Sequence, residues 1–314
     1  MIENIEKEPT PPILKDNLLN DARLHHFSHF AMATIYELYI YHSDGLYAKR
    51  ASVEIFMEID RLERLLSRFI ENSEISKINS LNAFESTVVD PDTFTCLKDC
   101  ARLYQDTKGA FDVSAGALIN LWKEKSHNKQ INRSYIKFLM ENSGMPWLQL
   151  NEDTFEISVF NNNIQLDLGG YAKGYALDKA ASILEEWEID QYLMHGGGSS
   201  VRVGASPTDK AGWQINILHG REMITVKNIS IGSSGLEKRK HIINPFTGRP
   251  ITKRAASWVF SPLAANADAL STAFMLMPKK EIEKYCKNNP DVSAVIQLNG
   301  NKTWRFNHTS FRTT

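Results

Sequence analysis

Cysteine is scarce in this sequence, with only Cys96, Cys100 and Cys286 in 314 residues. Such an odd and sparse count excludes a fold held together by a disulfide framework. An excess of one charge is also lacking, because 36 Lys and Arg face 37 Asp and Glu, a formal net charge of −1. A nucleic-acid-binding domain would be clearly basic, so we expect no nucleic acid among the partners.

Long apolar runs are missing as well. No run approaches the roughly 20 residues needed to span a bilayer, so no membrane span is expected. The first residues mix acids with Pro9, Pro11 and Pro12, and they lack the basic start and apolar centre of a signal peptide. We therefore expect residues 1–23 to form a flexible tail, residues 24–314 to form the folded domain, and the chain to be cytoplasmic.

Several segments show the periodicity of helices. Hydrophobic residues make up 42% of the chain, which is enough for a packed core. Apolar side chains recur at steps of three and four from Ile55 to Phe69, which predicts a helix over 46–71 with Arg61 and Arg68 on its other faces. A short helix is predicted to end near Trp122. Further helices are predicted at 91–107, 134–142, 173–187, 266–277 and 279–288.

Other segments are rich in β-branched and aromatic residues. The first of them predicts a strand near 31–42, and two later ones predict strands at 155–160 and 164–168, joined as a hairpin by the asparagines at 161–163. Further strands are predicted at 147–150, 191–195, 201–205, 213–219, 223–231, 292–298 and 302–306. Because strands and helices are mixed without regular strand–helix–strand alternation, we expect an α+β fold with mostly antiparallel sheets packed with helices.

Two glycine-rich turns are candidates for ligand binding. In DLGGYAKGYALD, a predicted strand ends at Leu168 and a helix begins near Lys173. Exposed N–H groups and a lysine at a helix start form a natural phosphate site, although an ordinary strand-to-helix connection would look the same. Three glycines after His195 indicate either a close approach to a ligand or a tight turn.

Three further patterns carry chemically useful side chains. Asp268 and Thr272 share one helix face and could offer oxygens to Mg²⁺, but Asp268 could equally favour the start of its helix. His241 could accept a proton from a hydroxyl, although a lone histidine is more often structural. Phe111 and Asp112 suit packing and helix capping.

Taken together and in order, these segments resemble the ApbE family, the FAD:protein FMN transferases. The resemblance covers about residues 31–278 and rests on several ordered motifs, none of which is specific alone. The motifs are MAT at Met32, SEISKIN at Ser73, GAFD at Gly109, DLGGYAKGYALD at Asp167, GGGSS at Gly196, SSG at Ser233, HIINPFTG at His241 and ADALST at Ala267.

The resemblance implies an ApbE-like, T-fold-like α+β fold and a transferase activity. Enzymes of this family bind FAD and Mg²⁺, split the diphosphate of FAD, attach FMN to a Ser or Thr hydroxyl of a target protein and release AMP. FAD, as substrate, and an acceptor protein are therefore the expected partners, and Mg²⁺ is the expected cofactor. The alternatives on the same scaffold are an FAD-binding protein and an FAD pyrophosphate hydrolase.

Carried over motif by motif, the resemblance also implies site residues. Asp268, Thr272 and the Gly170 backbone carbonyl would hold the metal. Asp268 and His241 would be catalytic, with His241 as the base for the acceptor hydroxyl. The residues implied to contact FAD are Met32, Ala110, Phe111, Asp112, Asp167, Lys173, His241 and Ile242.

The sequence departs from the family pattern at a few of these positions. Ala33 stands where the family has glycine, which adds a methyl group beside the expected flavin. Leu236 replaces the usual tyrosine after the Ser-Gly motif, and Asn244 stands where many members have aspartate. These changes bear on the choice of substrate more than on the core chemistry.

Overall fold

The computed structural model describes residues 21–124, 132–207, 212–236, 242–252, 254–300, 302–307 and 312–313. Almost all of the predicted tail, residues 1–23, lies outside the described residues. Its flexibility and the domain boundary at residue 24 therefore stay predictions.

The described part of the fold is built on an eight-stranded sheet. Its strands are β1 (Leu24–Ala31), β2 (Thr34–Tyr41), β6 (Tyr192–Gly196), β7 (Ser200–Val203), β10 (Ile229–Gly235), β13 (Arg254–Ser261), β14 (Ser293–Leu298) and β15 (Thr303–Phe306). They lie side by side in that order, and every neighbouring pair is antiparallel. The predicted α+β class with mostly antiparallel strands is confirmed.

The helices pack mainly on one face of this sheet. They are α1 (Gly45–Leu66), α2 (Glu74–Ser80), α3 (Pro91–Asp106), α4 (Gly116–Glu124), α5 (Arg133–Glu141), α6 (Ala172–Glu186), α7 (Ala264–Phe274) and α8 (Lys279–Asn288). Side chains alternate between the two faces of a strand, and Tyr36, Leu38 and Ile40 of β2 point into the helical core. None of the described helices combines the length and apolar character needed to cross a bilayer.

A second layer covers the opposite face of the large sheet. It contains a three-stranded sheet of β8 (Trp213–Ile217), β9 (Glu222–Val226) and β16 (Arg312–Thr313). Trp213 of this layer and Trp258 of β13 belong to the apolar cluster between the two sheets. The remaining pairings are a small sheet of β3 (Ser86–Val88), β4 (Leu148–Asn151) and β5 (Glu156–Val159) and a hairpin of β11 (Ile243–Asn244) and β12 (Arg249–Pro250).

Helix α7 sits unusually close to its neighbours, and glycines make this possible. A Cβ on Gly174 of α6 would lie 2.3 Å from the Ala264 carbonyl oxygen, and one on Gly232 of β10 would lie 2.1 Å from the Ala267 carbonyl oxygen. Any larger residue at either position would push α7 away. The backbone of α7 is thus held between α6 and β10, which fixes the side chains that α7 carries.

The first predicted strand, 31–42, is wrong in its bounds. The structure has two strands there, β1 and β2, joined by a tight turn at Met32 and Ala33, whose φ angles are 51° and 57°. Glycine, asparagine and aspartate are the usual residues of such a turn, so the Met-Ala pair gave no sequence signal for it. The family glycine replaced by Ala33 therefore belongs to a left-handed turn position.

Replacing Ala33 with glycine should stabilise the protein. An L-residue pays roughly 1–2 kcal/mol for a left-handed conformation, and the greater freedom of glycine in the unfolded chain offsets part of the gain. We expect Ala33→Gly to raise the free energy of unfolding by about 0.5–1 kcal/mol in urea denaturation. The control is Ala31→Gly in the buried part of β1, and this change should lower the free energy of unfolding. Equal effects of the two changes would contradict this account of the turn.

Two further predictions need correction. The helix predicted over 46–71 ends at Leu66, because Ser67 adopts an extended conformation. The predicted hairpin between 155–160 and 164–168 does not form: β5 pairs with β4 and β3 instead. The segment 164–168 makes a single bridge, between Ala115 and Gln165.

The predicted strand 223–231 is also wrong, because it is two strands in different sheets. β9 belongs to the second layer and β10 to the large sheet. The chain changes layer at Asn228, which has a φ of 49°. Asparagine tolerates this left-handed conformation better than most residues, but a single asparagine inside a β-rich run was too weak a signal to break the strand.

Candidate active site

A large cavity opens at one end of the eight-stranded sheet. Its volume is about 1230 Å³, above the roughly 300–1,000 Å³ typical of small-molecule sites. The β1–β2 turn, the glycine turn between β6 and β7, the start of α6 and the side of α7 all contribute to its wall. Separate motifs along the sequence therefore meet here.

Ten of the eleven predicted site residues line this cavity. The remaining one, His241, lies outside the described residues, so its role as a base stays a prediction. The ten are Met32, Ala110, Phe111, Asp112, Asp167, Gly170, Lys173, Ile242, Asp268 and Thr272.

The start of α6 brings a cation to the cavity. The N-cap residue of α6, Tyr171, makes no side-chain hydrogen bond to the first turn, and Lys173 lies in that turn. The Lys173 ammonium donates to the Gly169 carbonyl at 3.1 Å and is only one-fifth exposed. A partly buried cation beside a helix N-terminus favours a negatively charged ligand.

Asp268 of α7 points at the same place. Its carboxylate is 5% exposed, and its Oδ2 atom lies 3.4 Å from Lys173 Nζ. The same oxygen accepts a hydrogen bond of 3.2 Å from the backbone N–H of Gly174. The two predicted halves of the site, one on α6 and one on α7, are therefore in direct contact.

Thr272 lies one turn further along α7. Its hydroxyl is 3.1 Å from the Ser234 hydroxyl of β10, which also contacts Ser271 at 2.8 Å. A Cβ built on Gly170 would lie 3.5 Å from Thr272 Oγ1 and 3.6 Å from the ring of Phe111. Two of the predicted metal ligands, the Gly170 backbone and the Thr272 hydroxyl, thus lie close together. Ser234 is a polar neighbour that the sequence reasoning did not select.

Asp167 is fixed by a residue that was expected elsewhere. Arg68 was placed on another face of the long helix, yet its side chain is 6% exposed and its Nε atom lies 3.0 Å from Asp167 Oδ2. The physical reason is the early end of α1, since the extended Ser67 turns the following residues away from the helical path. The other carboxylate oxygen of Asp167 accepts from the Gly169 N–H at 2.8 Å.

The same change of direction exposes Phe69, which the helix prediction placed with the apolar residues. Phe69 is 76% exposed. The Arg68 guanidinium lies 4.7 Å from its ring centre, and the ammonium of the cavity residue Lys123 lies 5.5 Å from it. Phe69 therefore contacts two cations through its ring instead of packing in the core.

The GAFD motif combines packing with cavity lining. Phe111 is 4% exposed, and its N–H donates to the Thr107 hydroxyl at 3.0 Å. Asp112 accepts from the Ser114 N–H at 2.9 Å and from the Ser114 hydroxyl at 2.6 Å. Burial nevertheless raises the pKa of Asp112, and this desolvation outweighs the two hydrogen bonds.

Asp112→Asn should therefore stabilise the protein in a pH-dependent way. A carboxyl group whose pKa is higher in the folded than in the unfolded state makes stability fall as the pH rises above its unfolded value of about 3.9. The gain in the variant should thus grow between pH 4 and pH 7 in urea unfolding. Exposed Asp291→Asn is the control, and a gain that stayed constant over this range would contradict the burial argument.

Two aromatic rings also belong to the cavity wall. Trp258 and His219 line it, with ring centres 5.2 Å apart and edge to face. Leu218 and His219 both have positive φ angles, of 52° and 57°. Met32 accepts a hydrogen bond of 3.1 Å from the hydroxyl of buried Tyr36, whose pKa is raised by burial and by the charge of Asp268. Sequence reasoning selected Met32 but missed Trp258 and His219, because neither belongs to a recognisable motif.

A metal at the α6–α7 end would depend on few charged ligands. Among the described residues, no three His, Cys, Asp or Glu side chains cluster closely enough to hold an ion by themselves. Mg²⁺ is commonly bound through one or two carboxylates, neutral oxygens, waters and the phosphates of a substrate. The Asp268 carboxylate, the Thr272 hydroxyl and the Gly170 backbone fit such a site, which would be completed by a phosphate ligand.

The chain is similar to curated proteins over most of its length. The chain is 28% identical over 273 residues to the FAD:protein FMN transferase of Vibrio cholerae, covering 80% of this chain and 81% of that protein. It is 27% identical over 247 residues to the protein of the same name from Chlamydia muridarum, covering 74% and 78%.

The chain is also similar to solved structures and matches a family model. The flavin transferase ApbE from Vibrio cholerae superposes with a TM-score of 0.80 at 26% identity, covering 90% of this chain and 97% of that one. The ApbE protein from Thermotoga maritima gives 0.79 at 25% identity, covering 90% and 97%. The sequence model of the ApbE family matches residues 32–296, and the chain therefore belongs to the ApbE family.

Proposed function

We propose that this chain catalyses the Mg²⁺-dependent transfer of FMN from FAD to a Ser or Thr hydroxyl of a target protein, with release of AMP. Its curated relatives are named FAD:protein FMN transferases, and as a member of their family the chain is a transferase. The observation that carries the proposal is the contact between Lys173 and Asp268, 3.4 Å apart, inside a cavity above the usual size of a small-molecule site.

Different residues of the cavity would bind the diphosphate, the flavin and a sugar hydroxyl of FAD. Lys173 and the start of α6 provide positive charge for the diphosphate. Phe111, Met32 and Ile242 provide apolar surface for the flavin. Asp167, held by Arg68, has the acceptor oxygens that a ribityl or ribose hydroxyl would need.

Asp268, Thr272 and the Gly170 carbonyl would hold Mg²⁺. When bound, the ion would offset the negative charge that builds up on the diphosphate as its bond breaks. The Lys173 ammonium would offset the same negative charge, because it lies beside the Gly169 carbonyl oxygen and the Asp268 carboxylate.

The proposed reaction is a single phosphoryl-group substitution. The acceptor hydroxyl oxygen forms a bond to the FMN phosphorus, and the bond from that phosphorus to the bridging oxygen breaks, so AMP leaves with that oxygen. The hydroxyl proton goes to a base, for which His241 remains the candidate on the strength of the family resemblance. Positioning and charge neutralisation supply most of the catalysis in reactions of this type.

The test is incubation of the purified chain with FAD and Mg²⁺, with and without a cell lysate as the source of acceptor proteins. Covalent labelling is read as flavin fluorescence on a denaturing gel, and AMP is measured by chromatography. Mass spectrometry of the labelled band then locates the FMN. We expect fluorescence on an acceptor, AMP in equal amount, and FMN on a Ser or Thr; EDTA should abolish all three.

Two outcomes would contradict the proposal. AMP without any labelled protein would indicate a hydrolase. FAD that co-purifies with the chain through gel filtration, without AMP or labelling, would indicate a binding protein.

A further inference from the structure

Helix α7 carries Asp268 and Thr272 but cannot cap its own start. Its N-cap residue is Leu263, which makes no side-chain hydrogen bond to the first turn. The first N–H groups of a helix have no partner within the helix and need one from outside. For α7 that partner comes from a different helix.

Asp178 of α6 supplies the missing cap. One carboxylate oxygen accepts from the Ala264 N–H at 2.8 Å and the other accepts from the Ala265 N–H at 2.9 Å. A carboxylate at this position also interacts favourably with the positive end of the helix dipole. Asp178 ends the motif DLGGYAKGYALD, and none of the roles derived above uses it.

A partly buried arginine holds the Asp178 carboxylate in place. Arg202 Nη1 lies 3.6 Å from Asp178 Oδ1. The same group donates to the Ser230 hydroxyl at 2.9 Å and to the Pro262 carbonyl oxygen, just before α7. Burial raises the pKa of Asp178, and this desolvation outweighs the opposing effects of the two amides and of Arg202.

The cap lies on the same side of α6 as the contact with Asp268. Gly174 and Asp178 are four residues apart and so share a helix face. Gly174 donates to Asp268, while Asp178 binds the amides of Ala264 and Ala265 one turn earlier on α7. Two successive turns of α6 thus fix both the rotation and the axial position of α7.

We propose that Asp178 is a positioning residue, which sets the place of Asp268 and Thr272 relative to Lys173 by capping α7 from α6. This inference rests on the proposed function, because it assigns those side chains to the binding of Mg²⁺ and diphosphate. Residues that orient metal ligands typically change metal affinity or activity by about 10–100-fold when they are replaced.

The test compares Asp178→Asn with the wild type and with Glu185→Gln, an exposed carboxylate on the same helix. Asparagine keeps the shape, but its NH₂ group must face one of the two α7 amides. We expect the Mg²⁺ concentration for half-maximal AMP release to rise about 10-fold, with recovery at high Mg²⁺. Amide hydrogen exchange of the free protein should be faster over 263–268 and unchanged over β13. Glu185→Gln should match the wild type in both measurements.

A rescue variant separates positioning from general destabilisation. Leu263 is 48% exposed and has the extended backbone of an N-cap residue, so aspartate there can cap α7 locally. Asp178→Asn with Leu263→Asp should restore slow exchange and the wild-type Mg²⁺ dependence. An unchanged Mg²⁺ dependence in Asp178→Asn, or failure of the double variant to recover, would overturn the inference. A wild-type chain that releases no AMP would instead refute the proposed function, while hydrogen exchange would still report on the cap.

Discussion

Asp268→Asn should reduce the rate of FMN transfer by about 10³-fold while the protein stays folded. The Asp268 carboxylate is almost fully buried and provides the only acidic side chain of the proposed Mg²⁺ site. Asparagine keeps the size of the side chain and an oxygen for the Gly174 N–H, so the contact between α6 and α7 can persist. The charge that attracts the ion is lost, and the remaining donors are neutral oxygens.

Initial rates of AMP release and of acceptor labelling, at saturating FAD and over a range of Mg²⁺, measure this effect. Asp106→Asn is the matched control, because it removes an exposed carboxylate from the end of α3. We expect this control to keep the wild-type rate. If Asp268→Asn retained more than about a tenth of the wild-type rate at low Mg²⁺, the assignment of Asp268 to the metal would be wrong.

Lys173→Met should lower kcat/KM for FAD by about 10²-fold. The change removes the ammonium beside the proposed diphosphate position and leaves the buried Asp268 carboxylate without its cation partner. Part of the loss should appear in KM, because the diphosphate is already negative in the bound substrate. The rest should appear in kcat, because charge grows on the leaving AMP.

Steady-state kinetics with FAD as the varied substrate separate the two contributions. Lys98→Met is the control, since Lys98 forms an exposed ion pair with Glu152. An exposed pair of this kind contributes little, so the control should behave as the wild type. Unchanged kinetics for Lys173→Met would place the diphosphate away from the start of α6.

The sequence predicted most helices and strands because their signals are local. Helix α3 begins at Pro91, as expected from a proline at a first helical position, and α8 matches its predicted bounds. Some errors occur where a turn has no typical residue, as at Met32 and Ala33, which form a left-handed turn without glycine. Others occur at asparagines, because those at 161–163 join no hairpin and Asn228 ends a strand without a further signal.

The residues that line the candidate site could be predicted from the sequence, but the residues that hold them in place could not. The motifs containing Asp167, Lys173 and Asp268 could be recognised along the chain, and the fold brings them together as expected. The supporting roles of Arg68 and Asp178 could not be predicted, although Asp178 ends a recognised motif. Each of these side chains contacts a segment that is far away in the sequence. Contacts of that kind depend on packing, which a single sequence does not reveal.

The central claim is that the diphosphate of FAD binds between Lys173 on α6 and Asp268 and Thr272 on α7. A crystal structure of the chain with FAD and Mg²⁺ tests it directly. The account predicts the diphosphate within hydrogen-bonding distance of Lys173 Nζ and a metal ion coordinated by Asp268, with the flavin in the same cavity. FAD bound elsewhere, or a diphosphate remote from both helices, would contradict it.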